Sequence, residues 1–110
     1  MAGVVAHRNL QEAELLFLKA LEVDPKNALG WNNLACLYWE DLKDYDNAMQ
    51  AVNQALKIKP KKALYWHTLA EVEWYGYANK EKAINALLKA KKIDPEYLGA
   101  DAFLNELETN

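Results

Sequence analysis

Side chains able to do acid–base, nucleophilic or metal chemistry are sparse in this chain. It holds two histidines, His7 and His67, and one cysteine, Cys36. A thiol beside an imidazole could make a nucleophile, or half of a zinc site. The sequence completes neither. No third ligand or orienting carboxylate stands at a defined spacing, and zinc asks for four ligands or three plus water. Glu71 and Glu73 lie two residues apart, which on a helix turns them in different directions and leaves no paired-carboxylate site. No glycine-rich phosphate loop occurs. The residues predict a non-enzyme that uses no metal or other cofactor.

Composition narrows the alternatives. The chain has 110 residues, 52% of them hydrophobic, which suits one folded domain rather than disorder. Four glycines and three prolines leave too few turns for a sandwich or barrel. A net charge of −3 gives no footprint for nucleic acid or an anionic membrane, and the lysine clusters at 57–62 and 80–92 read as solvated helix surface. A single cysteine excludes an internal disulfide. No stretch approaches the roughly 20 apolar residues of a membrane helix. MAGVVAHRN does not read as a secretory leader, so no membrane insertion is expected; the compartment stays open, with a lean toward the cytoplasm.

The elements that position these residues come from a repeat. Pro25, Pro60 and Pro95 stand 35 residues apart and close the similar phrases LEVDPKNAL, LKIKPKKAL and KKIDPEYLG. Upstream of them Ala13 and Ala20, Ala48 and Ala55, Ala83 and Ala90 are each paired two helical turns apart. Small residues on one face let a second helix approach closely. ALGWNNLACLYW and ALYWHTLAEVEW repeat Trp31 and Trp39 as Trp66 and Trp74. The periodicity predicts six helices, near 9–23, 27–41, 45–59, 62–77, 80–93 and 96–107, with Asn9, Asn27 and Asn79 as N-caps and each proline in a link. The fold class is all-α.

Trp31, Leu34, Ala35 and Tyr38, followed by Ala48, Ala55 and Pro60, resemble the tetratricopeptide repeat pattern. Trp66, Leu69, Ala70, Ala83, Leu87, Ala90 and Pro95 repeat it, and Ala13, Phe17, Ala20 and Pro25 match the second helix of an earlier copy. The segment WHTLAEVE also resembles the half-a-tetratricopeptide repeats of RNA-processing scaffolds, but the second helices keep the proline and lack an Arg-rich signature. Two features depart from the family. The period is 35 rather than about 34, and the extra residue is expected in the turns EDLKDYD and WYGYANK. Glu73 stands where the first copy has Tyr38.

The resemblance implies a right-handed α-solenoid in one domain. Residues 9–27 form the second helix of a truncated repeat, 28–62 and 63–97 are full repeats, and 98–110 are a capping helix. It also implies a concave groove lined by the first helices, where a peptide or protein partner lies. Mapped on this sequence, the groove carries Asn32, Asn33, Cys36, Trp39, Glu40, His67, Thr68, Glu71, Trp74 and Tyr75, with Leu29 and Leu64 beside them. Ala102, Phe103 and Glu106 follow on the last helix. Trp31 and Trp66 share a face with Leu34 and Leu69 and read as core. A subclass of the family grips the carboxylate of heat-shock chaperone tails with Lys, Asn and Arg. Only Asn33 matches; Leu64 and Thr68 stand where cations are required, so binding of such tails is not expected. Finally, LLFL at 15–18 makes the first helix apolar almost all round. Leu15, Phe17 and Leu18 are therefore a candidate surface for self-association, giving a homodimer or stacked assembly as the alternative role. A helix from a longer parent or the N-terminal segment folded back could cover the same face.

Overall fold

In a computed structural model that describes the backbone of residues 2–109 and the side chains of residues 9–109, the chain is a row of antiparallel helices. They are α1 (Ala2–Val23), α2 (Ala28–Cys36), α3 (Tyr45–Ile58), α4 (Ala63–Glu71), α5 (Lys80–Ile93) and α6 (Leu98–Thr109). Two of them continue as π-helix, α2 through Leu37–Leu42 and α4 through Val72–Gly76. No strand occurs among the described residues, and no helix there is long and apolar enough to cross a membrane.

Local chemistry sets most of these boundaries. Asn27, Asp44 and Asn79 each accept a backbone N–H of the following first turn, from Gly30, Asn47 and Lys82 respectively. Asn9 does not cap: it lies inside α1, whose helix begins at Ala2, earlier than the pattern suggests. The apolar segment upstream of Asn9 has no breaker after Gly3, so the helix propagates through it. The side chain of His7 and all of Asn110 lie outside the described residues. After each of the first two prolines a tryptophan ties the next helix back to the link: Trp31 Nε1–H donates to the Pro25 carbonyl and Trp66 Nε1–H to the Pro60 carbonyl, both at 2.8 Å.

The alanines make the stack tight. Ala48, Ala51 and Ala55 on α3, and Ala83, Ala86 and Ala90 on α5, are buried, as are Ala35 and Ala70 on the helices opposite. With only a methyl group at each crossing, the backbones of each helix pair come close and exclude water. Around them three apolar clusters form. One joins α1, α2 and α3 around Leu21, Leu34 and Val52; one bridges the two hairpins around Leu56 and Tyr65; one joins α4, α5 and α6 around Leu87, Phe103 and Leu107. Ala20, by contrast, is exposed on α1, and it is Phe17 and Leu21 that α1 turns toward α2.

The extra residue of the 35-residue period is not taken up in the surface turns. It widens the last turns of α2 and α4 into π-helix, the usual result of a one-residue insertion in a helix. Lys43 and Ala78, at φ of 55° and 52°, then close the two helices in the left-handed region. Beyond them the Asp44 N–H reaches the Tyr38 carbonyl and the Asn79 N–H the Glu73 carbonyl, both at 2.8 Å. The insertion is absorbed at the same place in both copies, over six residues in the first and five in the second.

Candidate interaction face

The first helices α2, α4 and α6 present the residues that the sequence assigns to a groove. Leu29, Asn33 and Glu40 are exposed along α2 at helical spacing, and Leu64 and Tyr75 repeat two of those positions along α4 and its π turn. Cys36, Trp39, His67, Glu71 and Trp74 are half-buried. Asn32 and Thr68, expected on the open surface, are 3% and 2% exposed. Thr68 donates its hydroxyl to the Leu64 carbonyl one turn back, which satisfies it within its own helix. Asn32 lies on the buried side of α2, with its Oδ1 unpartnered.

The π turns decide what the aromatic residues do. Trp39 stacks on Tyr75 with ring centroids 5.1 Å apart and planes within 4°. Tyr75 stacks in turn against Phe103 of α6 at 5.7 Å. A row of three rings thus crosses from the first hairpin to the last helix, and its middle ring is the exposed one. Trp39 and Trp74 occupy equivalent repeat positions and each packs on its own hairpin's cluster, but only Trp39 also stacks across to the next hairpin. Adjacent residues of a helix point roughly 100° apart, so Tyr75 can face the first hairpin only if Trp74 does not.

A second aromatic group flanks the row. His67 shares a 2.7 Å hydrogen bond between its Nδ1 and the Tyr97 hydroxyl, and its ring contacts Phe103 at 5.6 Å. Burial pushes the imidazole below its usual range, which favours its neutral form. A Cβ on Gly99 would come within 3.1 Å of this ring, so a larger residue there would press on His67 where α6 meets α4. Tyr97 was not among the expected residues. Its one sequence signal is position: an aromatic side chain before α6 where Asn27 precedes α2 and Lys62 precedes α4, both polar.

The electrostatics are acidic. Burial, and then Glu40, push the Glu71 carboxyl up to about 7. Burial, then Glu71 and Glu40, push the Cys36 thiol up to about 11, with Thr68 opposing. A thiol so raised stays protonated and is the reverse of an activated nucleophile, which needs a lowered pKa. Tyr75 and Tyr97 are raised too, by burial first and then by nearby carboxylates. What the arrangement offers is a flat apolar shelf bordered by carboxylates, suited to contact rather than to bond making.

The self-association candidates divide. Leu15 and Leu18 are exposed on α1, but Phe17 packs on the first cluster, because Ala13, Phe17 and Leu21 share the face turned to α2. Leu16 takes its place on the outside.

Comparison with known proteins agrees with this architecture. Residues 16–50 match the family model described as a tetratricopeptide repeat. No curated protein sequence matches the chain. Among solved structures, the first tetratricopeptide domain of Spaghetti (RPAP3), bound to the HSP90 peptide SRMEEVD, is similar at a TM-score of 0.82 and 18% identity, with 94% of this chain and 80% of that one covered. The Sgt2 tetratricopeptide domain from Aspergillus fumigatus has a TM-score of 0.82 at 19% identity, over 98% of this chain and 72% of that one. An O-GlcNAc transferase mutant from Thermobaculum terrenum has a TM-score of 0.81 at 23% identity, but this chain spans 20% of its length. A segment that fits the family's model at residues 16–50 thus sits inside a stack of hairpins with the fold of solved tetratricopeptide domains.

Proposed function

We propose that the protein is a non-catalytic interaction module that holds an extended segment of a partner protein along the face of α2, α4 and α6. The observation that carries this reading is the line of exposed apolar side chains on that face. Leu29 is 51% exposed, Leu64 37% and Tyr75 45%, with the Trp39–Tyr75–Phe103 row beneath the last of them. Large apolar groups aligned on one face, bordered by polar side chains such as Asn33 and Glu40, have the composition of an interface rather than of solvated helix. The unit in this reading is the whole chain, with a truncated repeat at 9–27, full repeats at 28–62 and 63–97, and a closing helix at 98–110.

The solved relative bound to an acidic HSP90 peptide supports peptide capture by this fold, but not the same ligand here. Asn33 is the one position that fits a carboxylate clamp, Leu64 carries no charge and Thr68 is buried. The test is amide chemical-shift mapping with peptides recovered from a random dodecapeptide display on the purified protein. Shifts centred on Leu29, Asn33, Leu64 and Tyr75 are expected, and Tyr75→Ala should weaken binding about tenfold, or 1.4 kcal/mol. A footprint on α3 and α5 instead would overturn the reading.

The exposed leucines of α1 favour a second role. Leu15, Leu16 and Leu18 are 53%, 67% and 41% exposed and adjacent on one helix, which suits a homodimer in which α1 packs on its copy. Light scattering decides: Leu15→Glu with Leu16→Glu should convert a dimer to monomer, and a wild-type monomer at high concentration would sink the idea.

A further inference from the structure

We infer a second docking surface, on the second-helix side of the stack: the groove between α3 and α5 takes an extended acidic segment of a partner protein, its carboxylates among Lys61, Lys89 and Lys92. This surface is separate from the face of α2, α4 and α6 and does not rest on that reading.

The first observation is a basic cleft. Trp66 forms one wall, Pro60 and Lys61 of the link a second, and Lys89, Lys92 and Ile93 at the end of α5 a third, around a volume of about 550 Å³. Lysines that read from the sequence as solvated surface thus converge from two elements on one half-buried aromatic ring. None of the residues lining the cleft carries a carboxylate. Lys91 is paired with Asp101, but Lys61, Lys89 and Lys92 have no carboxylate partner among the described residues. The Lys89 ammonium stands 5.7 Å from the centroid of the Trp66 ring, which holds it over the cleft and lowers the entropy cost of using it. Cations gathered around an apolar wall attract an anion that also has apolar area to bury.

The second observation is the shape beyond the cleft. It opens into a groove floored by Leu69, which shares Trp66 and Lys89 with the cleft and runs on past Lys82 to Glu73 and Met49. Lys82 and Lys89 lie two turns apart on α5 and so share a face. From Lys82 to Lys92 the helix rises roughly 15 Å, the span of about four or five extended residues. Glu73 selects the class of occupant. It would repel a nucleic-acid strand, which carries a charge at every nucleotide. A peptide meets the lysines with carboxylates and lays an apolar side chain over Leu69 and Met49.

The first hairpin supplies the contrast. Its matching groove, around Trp31, is lined by Asn47, Gln50 and Gln54, uncharged where α5 has Lys82, Asn85 and Lys89. The stack forms without cations at those positions, which leaves the lysines of the second groove to recognition.

A random dodecapeptide display, sequenced after selection on the wild type, on Lys89→Gln/Lys92→Gln and on Lys26→Gln/Lys57→Gln, tests the assignment. All four lysines are exposed, so both variants should melt with the wild type, and both remove the same charge from equivalent regions of the repeat. The wild type and the first-repeat variant should retain a class of peptides enriched several-fold in Asp and Glu over Lys and Arg, which Lys89→Gln/Lys92→Gln loses. By fluorescence anisotropy, a labelled member of that class should bind Lys89→Gln/Lys92→Gln about tenfold more weakly, weaken with added salt, and keep its affinity for Tyr75→Ala. It should shift the Trp66 indole and Ile93 amide resonances. Absence of an acidic class, or its equal loss on both lysine variants, overturns the assignment. So do shifts centred on Leu29 and Tyr75, which place the acidic peptides on the other face. A short oligothymidylate that binds the wild type more tightly than the peptide gives the groove to nucleic acid and overturns it as well.

Discussion

The two complete hairpins, residues 28–62 and 63–97, are built on one frame and carry different surfaces. Position for position they share Ala28 with Ala63, Trp31 with Trp66, Leu34 with Leu69, Ala35 with Ala70 and Ala48 with Ala83. Their π turns and left-handed closing residues also coincide. The differences fall where helices meet neighbours or solvent. Asn33 becomes Thr68, Cys36 becomes Glu71 and Glu40 becomes Tyr75 on the first-helix face. Gly30, where a Cβ would press on Leu21, becomes the buried Tyr65, which fills the gap between hairpins. Tyr38 donates to Glu14 on α1 at 2.8 Å, whereas Glu73 lines a cleft with Met49, the residue one repeat after Glu14. Stacking needs identical backbones, and binding needs different side chains. The chain keeps the two demands on separate residues.

The largest expected effect separates the copies by burial. Leu34 is fully buried and Leu69 only partly, so Leu34→Ala should cost about 3 kcal/mol and Leu69→Ala roughly half of that. Urea unfolding of both variants checks it; equal losses would mean that the second hairpin is as tightly packed as the first.

Position 36/71 gives the next contrast. The folded state holds the Glu71 proton up to about pH 7 against an ordinary value of 4.5, so it binds more protons than the unfolded chain between those limits. The stabilisation is complete below pH 4.5 and is lost as pH rises through about 7. Glu71→Gln should therefore match the wild type at pH 4 and exceed it at pH 8, by on the order of 2 kcal/mol after allowance for partial exposure. Half-buried His67 is shifted the other way and is present in both proteins, so the comparison isolates residue 71. A wild type whose stability does not fall from pH 5 to 8 relative to the variant would contradict this.

A smaller effect should be shared. Trp31→Phe and Trp66→Phe each remove one indole–carbonyl bond of 2.8 Å, at about 1 kcal/mol in thermal melts. The Lys89 ammonium over the Trp66 ring, 5.7 Å from its centroid, should make the second loss the greater by a few tenths of a kcal/mol at most. The smallest change is a gain. Lys43→Gly and Ala78→Gly relieve a left-handed backbone in each copy and should raise stability by roughly 0.5 kcal/mol apiece. A loss at either site would show that its side chain contributes contacts.

Helix number and order were legible because both depend on neighbours in sequence. Proline spacing, asparagine caps and paired alanines each act within a few turns, so Asn27, Pro60 and Ala83 announce their roles locally. The extra residue was visible as a period of 35, but not its location. Local patterning marks the insertion without saying whether a turn or a helix end takes it, and here the ends of α2 and α4 do. For that reason the paired tryptophans looked equivalent while only Trp39 joins the ring row across the hairpins, and Tyr75 rather than Trp74 completes it.

By itself, then, the sequence determined the helices, their pairing into hairpins and the residues of the shared frame, since short-range periodicity and volume suffice for these. Only the tertiary structure decided which face residues stay open. Thr68 and Asn32 became buried, Phe17 turned inward while Leu16 stayed out, and Tyr75 stacked on Trp39 across two repeats. Those outcomes depend on the rotation of one hairpin against the next, a quantity set by packing of side chains distant in the chain.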